Sequence, residues 1–130
     1  MSVSGSYTLA TNDKYSEWLS QVGLPADSIA KLVAAKPILE ISHNGNTATV
    51  KTIAGDKNFT NTITLGQDSK ASLPGGIEYT LNMNLSGSTL SGTYNFGGKT
   101  GTASVEFTAS GANQTMTLGG VTAKRVYTRN

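Results

Sequence analysis

An antiparallel β-barrel with two short helices between its first and second strands is the fold class that this chain of 130 residues predicts. Three observations carry the expectation. From Pro37 onward the apolar residues recur with period two, the signature of half-buried strands. Turn signals cut that region at short intervals, as hairpin connections do. Only one stretch, between Lys14 and Lys36, has the period of a helix.

The opening strand is expected over Ser6 to Ala10. Asn12 and Asp13 are capping residue types, and Glu17 lies in the short segment they precede. Tyr15, Trp18, Leu19 and Val22 then share one helical face, and Gly23 stops the segment. A second helix starts after Pro25, at Asp27 or Ser28, with Ile29, Leu32 and Val33 as its apolar stripe. Lys36-Pro37 ends it, because a residue before proline is pushed toward extended geometry. Each helix has about two turns and is marginal in isolation, so both must rest on something else.

Asn44-Gly45 is the strongest hairpin signal in the remainder. Further turns are expected at Ala54-Gly55-Asp56, Leu73-Pro74-Gly75-Gly76, Ser86-Gly87-Ser88, Gly97-Gly98-Lys99 and Ser110-Gly111-Ala112-Asn113. They divide the region into about nine strands, so the total is roughly ten, joined mostly by hairpins: an up-and-down meander closed into a barrel.

The alternation assigns an inner face. Ile77, Tyr79, Leu81, Met83 and Leu85 oppose Glu78, Thr80, Asn82, Asn84 and Ser86. Leu90, Tyr94 and Phe96, then Ala103, Val105 and Phe107, then Phe59, Ile63 and Leu65 repeat the pattern, and Pro37, Leu39, Ile41 and His43 share the inner side of the second strand. A barrel of ten strands is wider than one that side chains fill completely. Ala48, Ala54, Gly92 and Ala103 also look inward, which favours a cavity. Periodicity alone leaves a two-sheet packed sandwich open as the alternative.

Composition excludes several functions. The net charge is +2 and charged residues make up 14 % of the chain, with no basic block to form a nucleic-acid surface. No apolar run is long enough for a membrane-spanning helix. With no cysteine, neither disulfide stapling nor thiol chemistry is available. The N-terminus lacks the basic and apolar segments of a secretory signal, so a cytoplasmic site is expected, with the mature form of a processed chain as the alternative. The one histidine, His43, precedes a hairpin and reads as a strand-end filler rather than a base. The carboxylates are scattered, and Asp56 and Glu78 would meet only by accident of folding. No catalytic set, metal site or cofactor is expected.

The C-terminal strand carries the chemistry. Val121, Ala123, Arg125 and Tyr127 fall on one face of it. If that face looks inward, a guanidinium is buried, at a cost of several kcal/mol, roughly, unless an anion or strong acceptor meets it. Its rigid fork suits a carboxylate, and the Tyr127 hydroxyl adds a donor about 7 Å along the strand. Such a site fits a long apolar molecule with an acidic head. Spacing alone equally allows Arg125 to point outward and Val126 inward.

Several fragments occur in an order and spacing shared with a known family. They are Gly5-Ser6-Tyr7-Thr8-Leu9, Tyr15 through Pro25, Ala35-Lys36-Pro37, Asn44-Gly45, Val50-Lys51-Thr52, Asn61-Thr62, Leu65-Gly66-Gln67 and Gly120 through Arg129. Over about residues 5 to 129 the chain resembles the intracellular lipid-binding proteins, the fatty-acid-binding and cellular retinoid-binding group. The resemblance implies one barrel domain over 1–130, a ten-stranded β-clam of two near-orthogonal sheets beneath a helix-turn-helix lid. It implies that Arg125 and Tyr127 face inward and bind a ligand carboxylate. It places Tyr15, Leu19, Leu24 and Leu32 on the lid side, where a ligand tail enters or contacts the wall, and Ile77, Tyr94 and Met116 on the cavity wall. A monomer carrying a long-chain fatty acid or similar small hydrophobic carboxylate, touching membranes transiently through its lid, is the expected working form. A retinoid carrier and a structural barrel without a dedicated ligand are the alternatives.

Two positions depart from the resemblance. Many members have a second inward arginine, and retinol-type members a glutamine, where this chain has Val105. Gln114 on the facing strand is then the residue that can offer an amide to the head group. An aromatic gate residue is common where this chain has Asp56. Both departures leave the ligand open between a fatty acid and a larger acidic lipid.

Overall fold

A computed structural model describes residues 4–54, 57–73 and 77–130. Ten strands follow in order: β1 (Gly5–Asp13), β2 (Ile38–Asn44), β3 (Thr47–Ala54), β4 (Lys57–Thr64), β5 (Asp68–Leu73), β6 (Ile77–Ser86), β7 (Thr89–Phe96), β8 (Lys99–Phe107), β9 (Gly111–Leu118) and β10 (Val121–Arg129). Helices α1 (Tyr15–Val22) and α2 (Ala26–Ala34) stand between β1 and β2. All strands pair antiparallel in one sheet of order β4-β3-β2-β1-β10-β9-β8-β7-β6-β5, which curls into a nearly closed barrel. The expected fold class and lid position agree with this architecture.

The sheet's two edges, β4 and β5, are joined by side chains standing in for the missing ladder. Asn61 Nδ2 donates to the Ser72 carbonyl at 3.1 Å, and the Ser72 N–H donates to Asn61 Oδ1 at 3.0 Å. The Thr64 N–H donates to Ser69 Oγ at 2.9 Å. An amide side chain has the same donor and acceptor as a peptide group, so Asn61 satisfies the edge much as a strand would.

The first hairpin turns one residue later than the Asn-Gly signal suggests. Asn44 pairs with Thr47, so Gly45 and Asn46 are the central residues. Gly45 has φ 62° and Asn46 does not have positive φ, the arrangement of a turn with glycine at its first central position. The turns expected at Gly55-Asp56 and Pro74-Gly75-Gly76 lie outside the described residues, as do the side chains of Phe59 and Ile77.

Helix α1 begins differently from the expectation. Neither Asn12 nor Asp13 caps it; both belong to β1. Lys14 makes the whole change from strand to helix in one residue, at φ 58°. Asn12 is unavailable as a cap because its side chain is committed elsewhere, as shown below. Gly23 ends α1 as expected, with φ 99° and its N–H bonded to the Leu19 and Ser20 carbonyls. Lys99 Nζ donates to the Gln21 carbonyl at 2.7 Å, placing a cation at the negative end of the helix. Helix α2 starts at Ala26, directly after Pro25, and buries no residue completely.

Two apolar clusters flank the interior. One is built on Trp18, Leu19, Tyr94, Phe96, Leu118 and Ala123, the other on Tyr7, Leu9, Phe107, Ala112 and Tyr127. Trp18 meets Tyr94 and Phe96 edge-on, with centroids 5.9 and 5.7 Å away. Its Nε1–H donates to the Tyr94 hydroxyl at 2.9 Å, which donates to the Thr117 carbonyl at 2.8 Å. This buried relay fastens α1 to β7 and β9. Gly101 makes it possible, since a Cβ there would occupy the space of the Tyr94 ring. Gly92, expected to open the interior, instead lets β7 approach the main chain of Asn82.

Candidate functional site

Strand β10 decides the orientation that spacing left open. Ala123, Arg125 and Tyr127 are buried and Lys124, Val126 and Thr128 are exposed. Arg125 is 8 % exposed and is the one charged residue among the buried ones described. Its guanidinium carbon lies 4.0 Å from the centroid of the Tyr15 ring and 5.5 Å from that of Tyr127. Stacking on an aromatic face recovers part of the lost hydration, about 1–2 kcal/mol at a desolvated site.

Arg125 Nε donates to Asn12 Oδ1 at 2.8 Å, its only hydrogen bond among the described residues. Strict alternation from Tyr7 and Leu9 would turn Thr11 inward. A bulge between Leu9 and Thr11 shifts the phase by one residue, so that Asn12 pairs with Arg125. The sequence carries no local signal for that bulge. Across the sheet the same row continues through Gln114 to Val105. A valine, an amide and a cation thus stand side by side on three neighbouring strands, with a second amide on the fourth. Gln114 Oε1 is buried without a hydrogen-bond partner among the described residues.

Val105, Gln114 and Arg125 face an internal cavity of about 200 Å3. Of the expected site residues, Arg125, Tyr127, Tyr15, Tyr94, Val105, Gln114 and Met116 line it. The rest of its wall is mostly apolar, including Trp18, Leu39, Val50, Met83, Phe96 and Phe107. A second chamber of about 180 Å3 adjoins it beneath α2, where Leu32, Pro37, Thr52, Ala54 and Ser72 join the lining. Leu19 and Leu24 depart from their expected place. Leu19 is fully enclosed and Leu24 nearly so; both pack in the core around Trp18 and line neither chamber. On the lid the lining falls instead to Tyr15 and Trp18 of α1 and to Leu32 of α2. The side chain of Ile77, and Asp56, lie outside the described residues.

Sequence reasoning missed Asn12, Trp18, Asn61 and Tyr79 as lining or supporting residues. The alternation placed Tyr79 inward but gave no reason to single it out. Burial pushes its hydroxyl up to about 12, helped by nearby Tyr15 and Tyr94. Burial also pushes Tyr127 up to about 12, against the lowering effect of Arg125. Tyr15 is raised by burial, again opposed by Arg125. All three remain neutral hydroxyls at physiological pH, able to donate to an anion. Among the described residues no cluster of histidine, aspartate and glutamate could hold a metal ion. No helix among them is long and apolar enough to cross a membrane.

A ten-stranded barrel with a two-helix lid, enclosing an apolar cavity around one arginine, defines a class of proteins. The profile of the lipocalin / cytosolic fatty-acid binding protein family matches residues 1–130. The chain is 32 % identical over 129 residues to fatty acid binding protein 1-B.1 of Danio rerio, covering 99 % of this chain and 98 % of that protein. It is likewise 32 % identical over 129 residues to the liver fatty acid-binding protein of Bos taurus, covering 99 % of each. Among solved structures, the Schistosoma mansoni fatty acid binding protein in complex with arachidonic acid superposes with a TM-score of 0.89 at 22 % identity, covering 97 % of this chain and 94 % of that one. The chain belongs to the lipocalin / cytosolic fatty-acid binding protein family, whose fatty-acid-binding members are carriers rather than catalysts.

Proposed function

We propose that this protein binds and carries a long-chain fatty acid or similar acidic lipid, with the carboxylate held by Arg125 and Tyr127. One observation carries the reading: a buried guanidinium, held by Asn12 at one nitrogen and stacked on Tyr15, opens onto an apolar cavity. An uncompensated buried cation is costly, and a carboxylate is the partner its fork fits best. Names among the relatives support the ligand class, since the Danio rerio and Bos taurus relatives described above are fatty acid-binding proteins. In this reading the protein acts as a cytoplasmic monomer. Its lid makes transient membrane contacts through α2, which leaves Val33 exposed.

The test is calorimetry of Arg125→Gln with a long-chain fatty acid and with its methyl ester. The acid should lose about 1.5–3 kcal/mol of binding free energy, the worth of a charge-assisted hydrogen bond. The ester should lose much less. Equal losses for acid and ester would remove Arg125 from the head-group role.

A further inference from the structure

We infer that the preferred ligand carries its acidic group near the middle of its apolar body, with one hydrophobic arm on each side. The inference rests on the reading of Arg125 as the carboxylate partner and adds the shape of the molecule that reaches it.

The two chambers share part of their lining. Tyr15, Leu39, Val50, Asn61, Tyr79, Gln114, Arg125 and Tyr127 border both. Among the described residues, every charged or amide side chain of either chamber stands on this shared wall. Beyond it on one side lie Trp18, Met83 and Phe96; on the other lie Leu32, Pro37 and Ala54, together with Thr52 and Ser72. The chambers are of nearly equal size, about 200 and 180 Å3. Arg125 therefore sits where two mostly apolar lobes of the interior meet rather than at the blind end of one.

A straight chain with a terminal carboxylate on Arg125 can extend into only one compartment. The other is then left with unfilled apolar walls, which forfeits both contacts and area removed from water. An acid branched at the carbon beside its carboxylate fills both compartments from one anchoring point. The shared wall suits such a head, since tyrosine hydroxyls, an amide and the guanidinium converge on it while no polar group is needed at either end.

Hexadecanoic acid and its isomer bearing a hexyl arm on the α-carbon of decanoic acid have the same formula, charge and number of carbons. They differ only in where the carboxylate sits. Calorimetry on the intact protein should show the branched isomer binding about ten-fold tighter or more, at one molecule per chain. That ratio corresponds to as few as two additional methylenes buried. In Arg125→Gln both isomers should weaken. Equal or tighter binding of hexadecanoic acid, or two molecules of it per chain, overturns the central-acid inference while leaving the carboxylate site standing. Unchanged affinity of both isomers in Arg125→Gln overturns the carboxylate reading, and this inference with it.

Discussion

Replacing Val105 by arginine tests the head-group region at the position where the chain lacks a second cation. Val105 and Arg125 lie two strands apart in one row, with Gln114 between them. At ordinary strand spacing their Cα atoms are about 10 Å apart. Both side chains line the cavity, so a new guanidinium can enter it. Extended toward each other, the two cations approach to about 6 Å. At an effective dielectric of about 20 they then repel by roughly 3 kcal/mol. For a domain of this size that lowers the melting temperature of the ligand-free protein by about 10 °C. A bound carboxylate reverses the sign, because it meets both guanidinium groups. If its affinity rises about ten-fold, saturating ligand adds roughly 1.4 kcal/mol more stability than in the parent chain, or about 5 °C. The assay is thermal melting of both proteins with and without saturating long-chain fatty acid, paired with calorimetric affinities. A smaller melting gain in Val105→Arg, together with weaker binding, refutes the placement of Val105 beside the head group and leaves the site resting on Arg125 and Tyr127.

Three further predictions follow from the same geometry. Leu32→Asp should speed ligand release several-fold in stopped-flow measurements while moving the melting temperature little, since α2 buries no residue completely; unchanged kinetics beside a large melting loss would make Leu32 a core residue. Trp18→Phe removes the donor to the Tyr94 hydroxyl and should cost about 1–2 kcal/mol in urea unfolding, the range of one buried hydrogen bond with some lost contact; an unchanged midpoint would show that the relay does not hold α1 to the barrel. Tyr79 and Tyr127 are pushed by burial up to about 12, above the ordinary tyrosine value of 10.0, so their contribution is intact below pH 10 and is lost between pH 10 and 12 as the unfolded chain ionises first. Each tyrosine accounts for about 2–3 kcal/mol of that decline; tyrosinate absorbance appearing well below the pH of unfolding would contradict it.

The sequence by itself determined the strand meander, the insertion of two helices after the first strand, and the inward faces of most strands. These follow from local quantities: the period of the apolar residues and the turn chemistry at Gly45, Gly23 and Pro25. It also singled out Arg125 and Tyr127, because a cation in phase with apolar neighbours is visible in a single strand. Tertiary structure alone decided which way that phase faced, by setting Ala123, Arg125 and Tyr127 against the interior. Asn12 illustrates the limit best. Its residue type suits a helix cap, yet one bulge in β1 rotates it inward, where a charged donor at 2.8 Å outcompetes a backbone N–H. Leu19 and Leu24 show a second limit. Amphipathic spacing marks the face a helix buries but not what it is buried against, so closed core and ligand-facing wall read alike. The wall around Arg125 that both lobes share draws on residues from β2, β3, β4, β6, β9, β10 and α1. No local pattern encodes such a convergence, because it exists only once strands far apart in the chain are closed into a barrel.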